Sequence, residues 1–95
     1  MDKFDPATVI ASDPEVVGCT LGDGSALLNL RTNIYYSLNA VGAFVWDAVA
    51  EPVPFANLVE RVCTQYGAPS EVVEGDLARM VRQLDAAGLV QCTPR

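Results

Sequence analysis

The sequence predicts an α+β fold, a winged-helix-like arrangement in which a three-stranded antiparallel sheet is followed by three helices. Three observations carry this. Short runs rich in β-branched, aliphatic and aromatic residues alternate with turn residues as far as Leu38. From Val41 the apolar spacing becomes helical, with Val41, Val45 and Val49 at four-residue steps and Phe44 and Ala48 beside them. Pro52, Pro54, Gly67 and Gly88 then divide the remainder into further helices. In the usual winged helix the sheet follows the helices; here the strands come first.

Residues 1–14 are polar and interrupted by Pro6 and Pro14, so an irregular segment is expected, with Thr8 to Ala11 offering at most a short edge strand. Val16 to Leu21 is the first strand of the expected meander. Gly22-Asp23-Gly24 makes a tight turn, because glycine accepts positive φ without strain. Ser25 to Leu30 is the second strand and Ile34 to Leu38 the third, joined by the polar turn Arg31-Thr32-Asn33. This order leaves the third strand at an edge.

Asn39 suits an N-cap for the first helix, which ends near Glu51 before Pro52 and Pro54. Gly42 in that helix is expected to admit another backbone closely, and Trp46 to belong to the core. The second helix runs from Pro54 or Phe55 to Tyr66, with Phe55, Leu58, Val59, Val62, Cys63 and Tyr66 on one face, and Gly67 stops it. Ser70 is the expected N-cap of the third helix, with Glu71 and Glu74 near the positive end of its dipole. Val73, Leu77, Met80, Val81 and Leu84 form its apolar stripe, and Gly88 follows its end near Ala87. Leu89 and Val90 then dock or pair briefly, and Thr93 to Arg95 fray.

Ninety-five residues with 51% hydrophobic content make a single compact domain, 1–95. Twelve acidic residues against 6 basic ones, a net charge of -6, disfavour nucleic-acid binding, which depends on neutralising phosphates with Lys and Arg. There is no His for acid–base work or metal ligation. Cys19, Cys63 and Cys92 are widely spaced and contain no CxxC pair, so free thiols in a reducing cytoplasm are expected rather than a zinc site. The N-terminus has neither a basic n-region nor an apolar h-region, and no apolar run is long enough to span a bilayer; a soluble cytoplasmic protein is expected.

Nothing in the chain assembles a catalytic constellation: there is no Ser/His/Asp or Cys/His set, no phosphate-binding glycine loop and no metal-ligand cluster. Asp47 and Glu51, four apart on a helix, read as a solvated face. No enzymatic activity, cofactor or metal is expected. The positive feature is the third strand, whose unpaired N–H and C=O groups can take an extended peptide as an added strand. Ile34, Tyr36 and Leu38 fall on one of its faces, Tyr35 and Ser37 on the other. Tyr36 reads as sheet cover, whereas Tyr35 suits packing or recognition equally. On the third helix Val72, Asp76, Arg79 and Gln83 form a strip beside the apolar stripe, with Met80 at the seam and Arg82 pointing away.

Tyr35-Tyr36-Ser37-Leu38-Asn39-Ala40-Val41-Gly42-Ala43-Phe44-Val45-Trp46 resembles the signature of the D protein family of pyrroloquinoline quinone biosynthesis, which shares its fold with the leader-binding subunits of lasso-peptide maturation. An aromatic pair, Leu-Asn, Gly-Ala and an apolar-Trp pair carry the likeness, which extends from about Val16 to about Val90. Pro54 departs from the helix-capping Ser or Thr often found there in related sequences. The resemblance implies a peptide-recognition domain that binds the leader of a ribosomally made precursor and presents it to a separate enzyme, such as a radical SAM enzyme, a leader protease or a cyclase. With no catalytic domain attached, it would work in trans. The leader is expected to lie antiparallel along Ile34 to Leu38 and to enter a cleft against Val72, Asp76, Arg79, Met80 and Gln83.

Two rivals come from other classes. A winged-helix DNA-binding regulator needs a basic recognition helix, yet residues 70–87 hold Glu71, Glu74, Asp76 and Asp85 against Arg79 and Arg82. A structural adaptor would instead pair the third strand with a copy of itself.

Overall fold

A computed structural model describes residues 5–94. It contains β1 (Val9–Ser12), β2 (Val16–Leu21), β3 (Gly24–Asn29), β4 (Ile34–Leu38), α1 (Ala40–Ala48), β5 (Val53–Pro54), α2 (Phe55–Tyr66), α3 (Ser70–Ala86) and β6 (Val90–Thr93). The fold is α+β, and the expected antiparallel meander followed by three helices is present as β2-β3-β4, α1, α2 and α3. Val16 stands opposite Asn29 and Leu21 opposite Gly24; Ser25 stands opposite Leu38 and Asn29 opposite Ile34. β4 is an edge strand of this sheet.

The N-terminal segment corrects the sequence reading. Val9–Ser12 is neither irregular nor an edge; it is the central strand of a second antiparallel sheet ordered β5-β1-β6. Ile10, fully buried, stands opposite both Val53 and Cys92. Pro54 sits on the edge strand β5, where a missing N–H costs no ladder bond. It also caps α2 without a polar side chain: the first N–H groups of the helix, those of Phe55 and Ala56, donate to the carbonyls of Thr8 (2.8 Å) and Pro6 (3.0 Å). At the other end Val90–Thr93 is a strand, so Thr93 is paired with Val9 instead of fraying. The expectations for residues 1–4 and 95 lie outside the described residues.

Asn39 caps α1 as expected, its side-chain oxygen accepting from the N–H of Gly42 at 2.9 Å. For α3 the cap is Pro69, whose carbonyl accepts from Val73 at 3.1 Å, and Ser70 is already helical. Gly42 does not admit a foreign backbone; a Cβ there would crowd the side chain of its neighbour Leu38 at 3.2 Å. Gly24 has that role, since a Cβ would lie 2.2 Å from the Leu38 carbonyl oxygen. Trp46 is half-buried against the core, its indole nitrogen 2.9 Å from where a Gly18 Cβ would stand.

The core is continuous through both sheets and all three helices, joining Ile10, Leu27, Val45, Phe55, Leu58 and Val81. Two polar ties fix the β2-β3-β4 sheet against its surroundings. Asn29, 1% exposed, donates through Nδ2 to the carbonyls of Ala87 (3.4 Å) and Gly88 (3.3 Å) and accepts from the N–H of Arg31 at 2.9 Å. It thus pins the end of α3 to β3. Asn29→Ala leaves these groups without their partner and is expected to destabilise the fold by about 1–3 kcal/mol in urea unfolding.

The second tie is Asp13, 6% exposed, which accepts from both terminal nitrogens of Arg31 at 2.7 and 3.1 Å. These bonds, then that from the Glu15 N–H, hold its carboxyl below the ordinary value of 3.8 despite desolvation. Because the folded value lies below the unfolded one, this stabilisation is complete above about pH 4–5 and disappears as pH falls through the folded value. Acid titration of stability should therefore be steeper for the native chain than for Asp13→Asn.

Candidate functional site

The turn between β2 and β3 determines which groups β4 offers to a partner. Only Gly22 and Asp23 separate the opposed pair Leu21 and Gly24, and Gly22 has φ +60 with Asp23 at negative φ. A two-residue hairpin of this kind, with glycine at its first central position, closes on a pair that exchanges both hydrogen bonds. Bonded pairs then alternate along an unbroken register, so Gly24, Ala26 and Leu28 bond to β2, and Ser25, Leu27 and Asn29 bond to β4. Tyr36 and Leu38 accordingly spend their main-chain groups on β3. Tyr35 and Ser37 direct their N–H and C=O groups to the open edge.

The side chains of β4 divide as their parity requires. On the inner side Tyr36 is half-buried and its hydroxyl donates to the Ala87 carbonyl at 3.4 Å, while Leu38 packs against the core. Tyr36 and Asn29 therefore grip the same end of α3 and fix its distance from the sheet. Ile34 shares this face but is 50% exposed. On the outer side Tyr35 is 73% exposed and Ser37 is exposed.

A groove runs beside this edge along α3. Its first part, about 190 Å³, brings Ser37 and Leu38 together with Met80 and Gln83, and is completed by Asn39, Gly42 and Leu84. Met80 also borders a second, mostly apolar hollow of about 170 Å³ between the helices, lined by Val41, Val45, Val62, Tyr66, Val73, Leu77 and Asp76. Half-buried Met80 borders both depressions and stands between them; together they make up the channel along α3. Of the ten expected site residues, Ser37, Leu38, Met80 and Gln83 line the part next to β4, and Asp76 stands at the mouth of the second hollow. Arg79 lines neither; it is exposed and pairs with Asp76 one turn away. Val72, 55% exposed, lies outside both, as do Ile34, Tyr35 and Tyr36.

Sequence reading missed the second hollow. Val41, Val45, Val62 and Val73 carry the same helical spacing as any core residue, and only their packing shows that space remains between them. Among the described residues no group of His, Cys, Asp or Glu could hold a metal ion. No helix among them is long and apolar enough to cross a membrane. What the edge and the channel offer is binding: two outward main-chain donors, two acceptors, and an uncharged strand next to an apolar trough.

The family model of coenzyme PQQ synthesis protein D (PqqD) matches residues 24–90. The solved structure of TbiB1 in complex with the TbiA(beta) leader peptide is similar at a TM-score of 0.79 and 30% identity, covering 85% of this chain and 94% of that one. A lasso peptide synthetase B1 complexed with the leader peptide has the same fold, with a TM-score of 0.75 and 22% identity over 86% of this chain and 96% of that one. No curated protein sequence matches the chain.

Proposed function

The chain belongs to the coenzyme PQQ synthesis protein D family, and from that membership we propose that it binds the leader segment of a ribosomally made precursor peptide and presents the precursor to a separate modifying enzyme. The observation that carries this is the pairing of an uncharged open edge, with the main chain of Tyr35 and Ser37 free, to the channel centred on Met80. An extended leader adds to β4 as a further strand. Its main chain supplies affinity that depends little on sequence, and its inward side chains enter the channel and supply selectivity. Ile34 to Leu38 form the docking strand, and Met80 and Gln83 form the helical wall, with Asp76 and its partner Arg79 at the rim and Val72 outside it. The relative that shares 30% identity is solved with a leader peptide bound, which supports the same role here.

The chain acts as a carrier and not as an enzyme; the chemistry belongs to its partner, a radical SAM enzyme, a leader protease or a cyclase, in the cytoplasm. Calorimetric titration with synthetic leaders of short precursors encoded beside its gene tests this, with the TbiA(beta) leader as a heterologous probe. Saturable one-to-one binding is expected; no binding to any of them would overturn the role.

The DNA-binding alternative is disfavoured by charge. α3 presents Glu71, Glu74, Asp76 and Asp85, which repel phosphates. No sequence-selective gel shift is expected at physiological salt, and one that persisted there would reverse the order of the two roles.

A further inference from the structure

The outer face of the β2-β3-β4 sheet is apolar and open. Val17, Leu28 and Tyr35 stand opposite one another across the three strands, and Cys19, Ala26 and Ser37 form the next row. None of these six residues is charged, in a chain whose net charge is -6. Val17 is 54% exposed and Tyr35 73%. The Tyr35 ring borders a shallow depression of about 240 Å³, whose other walls include Val17, Cys19, Ala26 and Leu28.

The row Val17–Leu28–Tyr35 ends at the open edge with its largest side chain. A peptide strand added to β4 lengthens each row by one residue, because directly opposed residues on neighbouring strands project to the same face. Tyr35 turns its own N–H and C=O outward, so the peptide residue opposite it exchanges both bonds and lies about 5.5 Å away between Cα atoms. Its side chain then stands beside the tyrosine ring on the outer face. A charged side chain at this point finds no partner in the row, whereas an aromatic or β-branched one covers the ring.

Resting on the leader-binding role, we propose that the peptide is read on both faces. The channel along α3 takes one set of alternate side chains, and Tyr35 selects from the other set an aromatic or β-branched residue directly opposite itself. The peptide is the occupant because the row continues the edge on which it docks. A second copy of the chain would instead bring another net charge of -6 towards the first.

Randomised peptides displayed and selected on the intact chain test this without knowledge of the natural leader. Backbone amide shifts identify the selected peptides that dock on β4, and spin-label broadening fixes the peptide residue opposite Tyr35. That residue should be aromatic or β-branched in most β4-docking peptides. Its replacement by Ser, crossed with Tyr35→Ser in a double-mutant cycle, should show a coupling of about threefold in Kd. Tyr35 is exposed, so the variant keeps its fold, as circular dichroism would verify. Peptides that dock on β4 with no residue preference and no coupling would overturn reading by Tyr35, leaving the row to a second copy or an enzyme. Failure of every peptide to dock on β4 would overturn the leader-binding role itself.

Discussion

Tyr35→Pro is expected to weaken leader binding by tenfold or more while the three helices persist. Tyr35 is one of two β4 residues whose N–H faces the open edge, as the two-residue turn between β2 and β3 requires. Proline removes that donor, and its ring intrudes on the path of the incoming strand. Losing a main-chain bond and disturbing its neighbour amounts to about 1.5 kcal/mol or more, hence the factor of about ten. Ser37→Pro should behave in the same way. Tyr36→Pro is different in kind, because its N–H bonds inward to β3; it should destabilise the sheet itself. Calorimetry beside thermal unfolding separates the two patterns. Equal loss of binding from all three in proportion to lost stability would remove the special place of Tyr35 and Ser37.

Met80→Ala is expected to cost about 1–3 kcal/mol of leader binding. Met80 is the one residue shared by the two hollows, and its flexible thioether can follow different leader side chains. Truncation would merge the hollows and strip the peptide of its central contact. Arg82→Ala is the control, since Arg82 is exposed, lines neither hollow, and acts electrostatically on Cys92 of β6. If Arg82→Ala weakened the complex as much as Met80→Ala, the groove would lie on another side of α3.

The elements that were legible in the sequence are those whose cause is local. Asn39 announces a helix start because its cap bond reaches only to Gly42, and Gly67 ends α2 through its own positive φ. The second sheet was not legible, because its cause is remote. Ile10 pairs with Val53 and with Cys92, and nothing within the four residues of β1 or the two of β5 signals those partners. The same holds for the cap on α2: the carbonyls of Pro6 and Thr8 replace a side chain that the local sequence lacks.

The candidate site divides along that line too. Strand order identified the open edge, and alternation the faces of Tyr35 and Tyr36. Helical spacing put Met80 and Gln83 on one strip of α3 and the family resemblance set that strip against β4, but neither could tell that Val72 and Arg79 stand outside the trough. That depends on how α3 is rotated against the sheet, which Asn29 and Tyr36 set from the far side of the chain through Ala87 and Gly88.

Hydrogen exchange of individual backbone amides, measured with and without bound leader, tests main-chain docking on β4 most directly. The amides of Tyr35 and Ser37 should exchange slowly only in the complex, while that of Tyr36, already bonded to β3, should change little. Binding that leaves Tyr35 and Ser37 exchanging as fast as in the free chain would contradict strand addition at this edge.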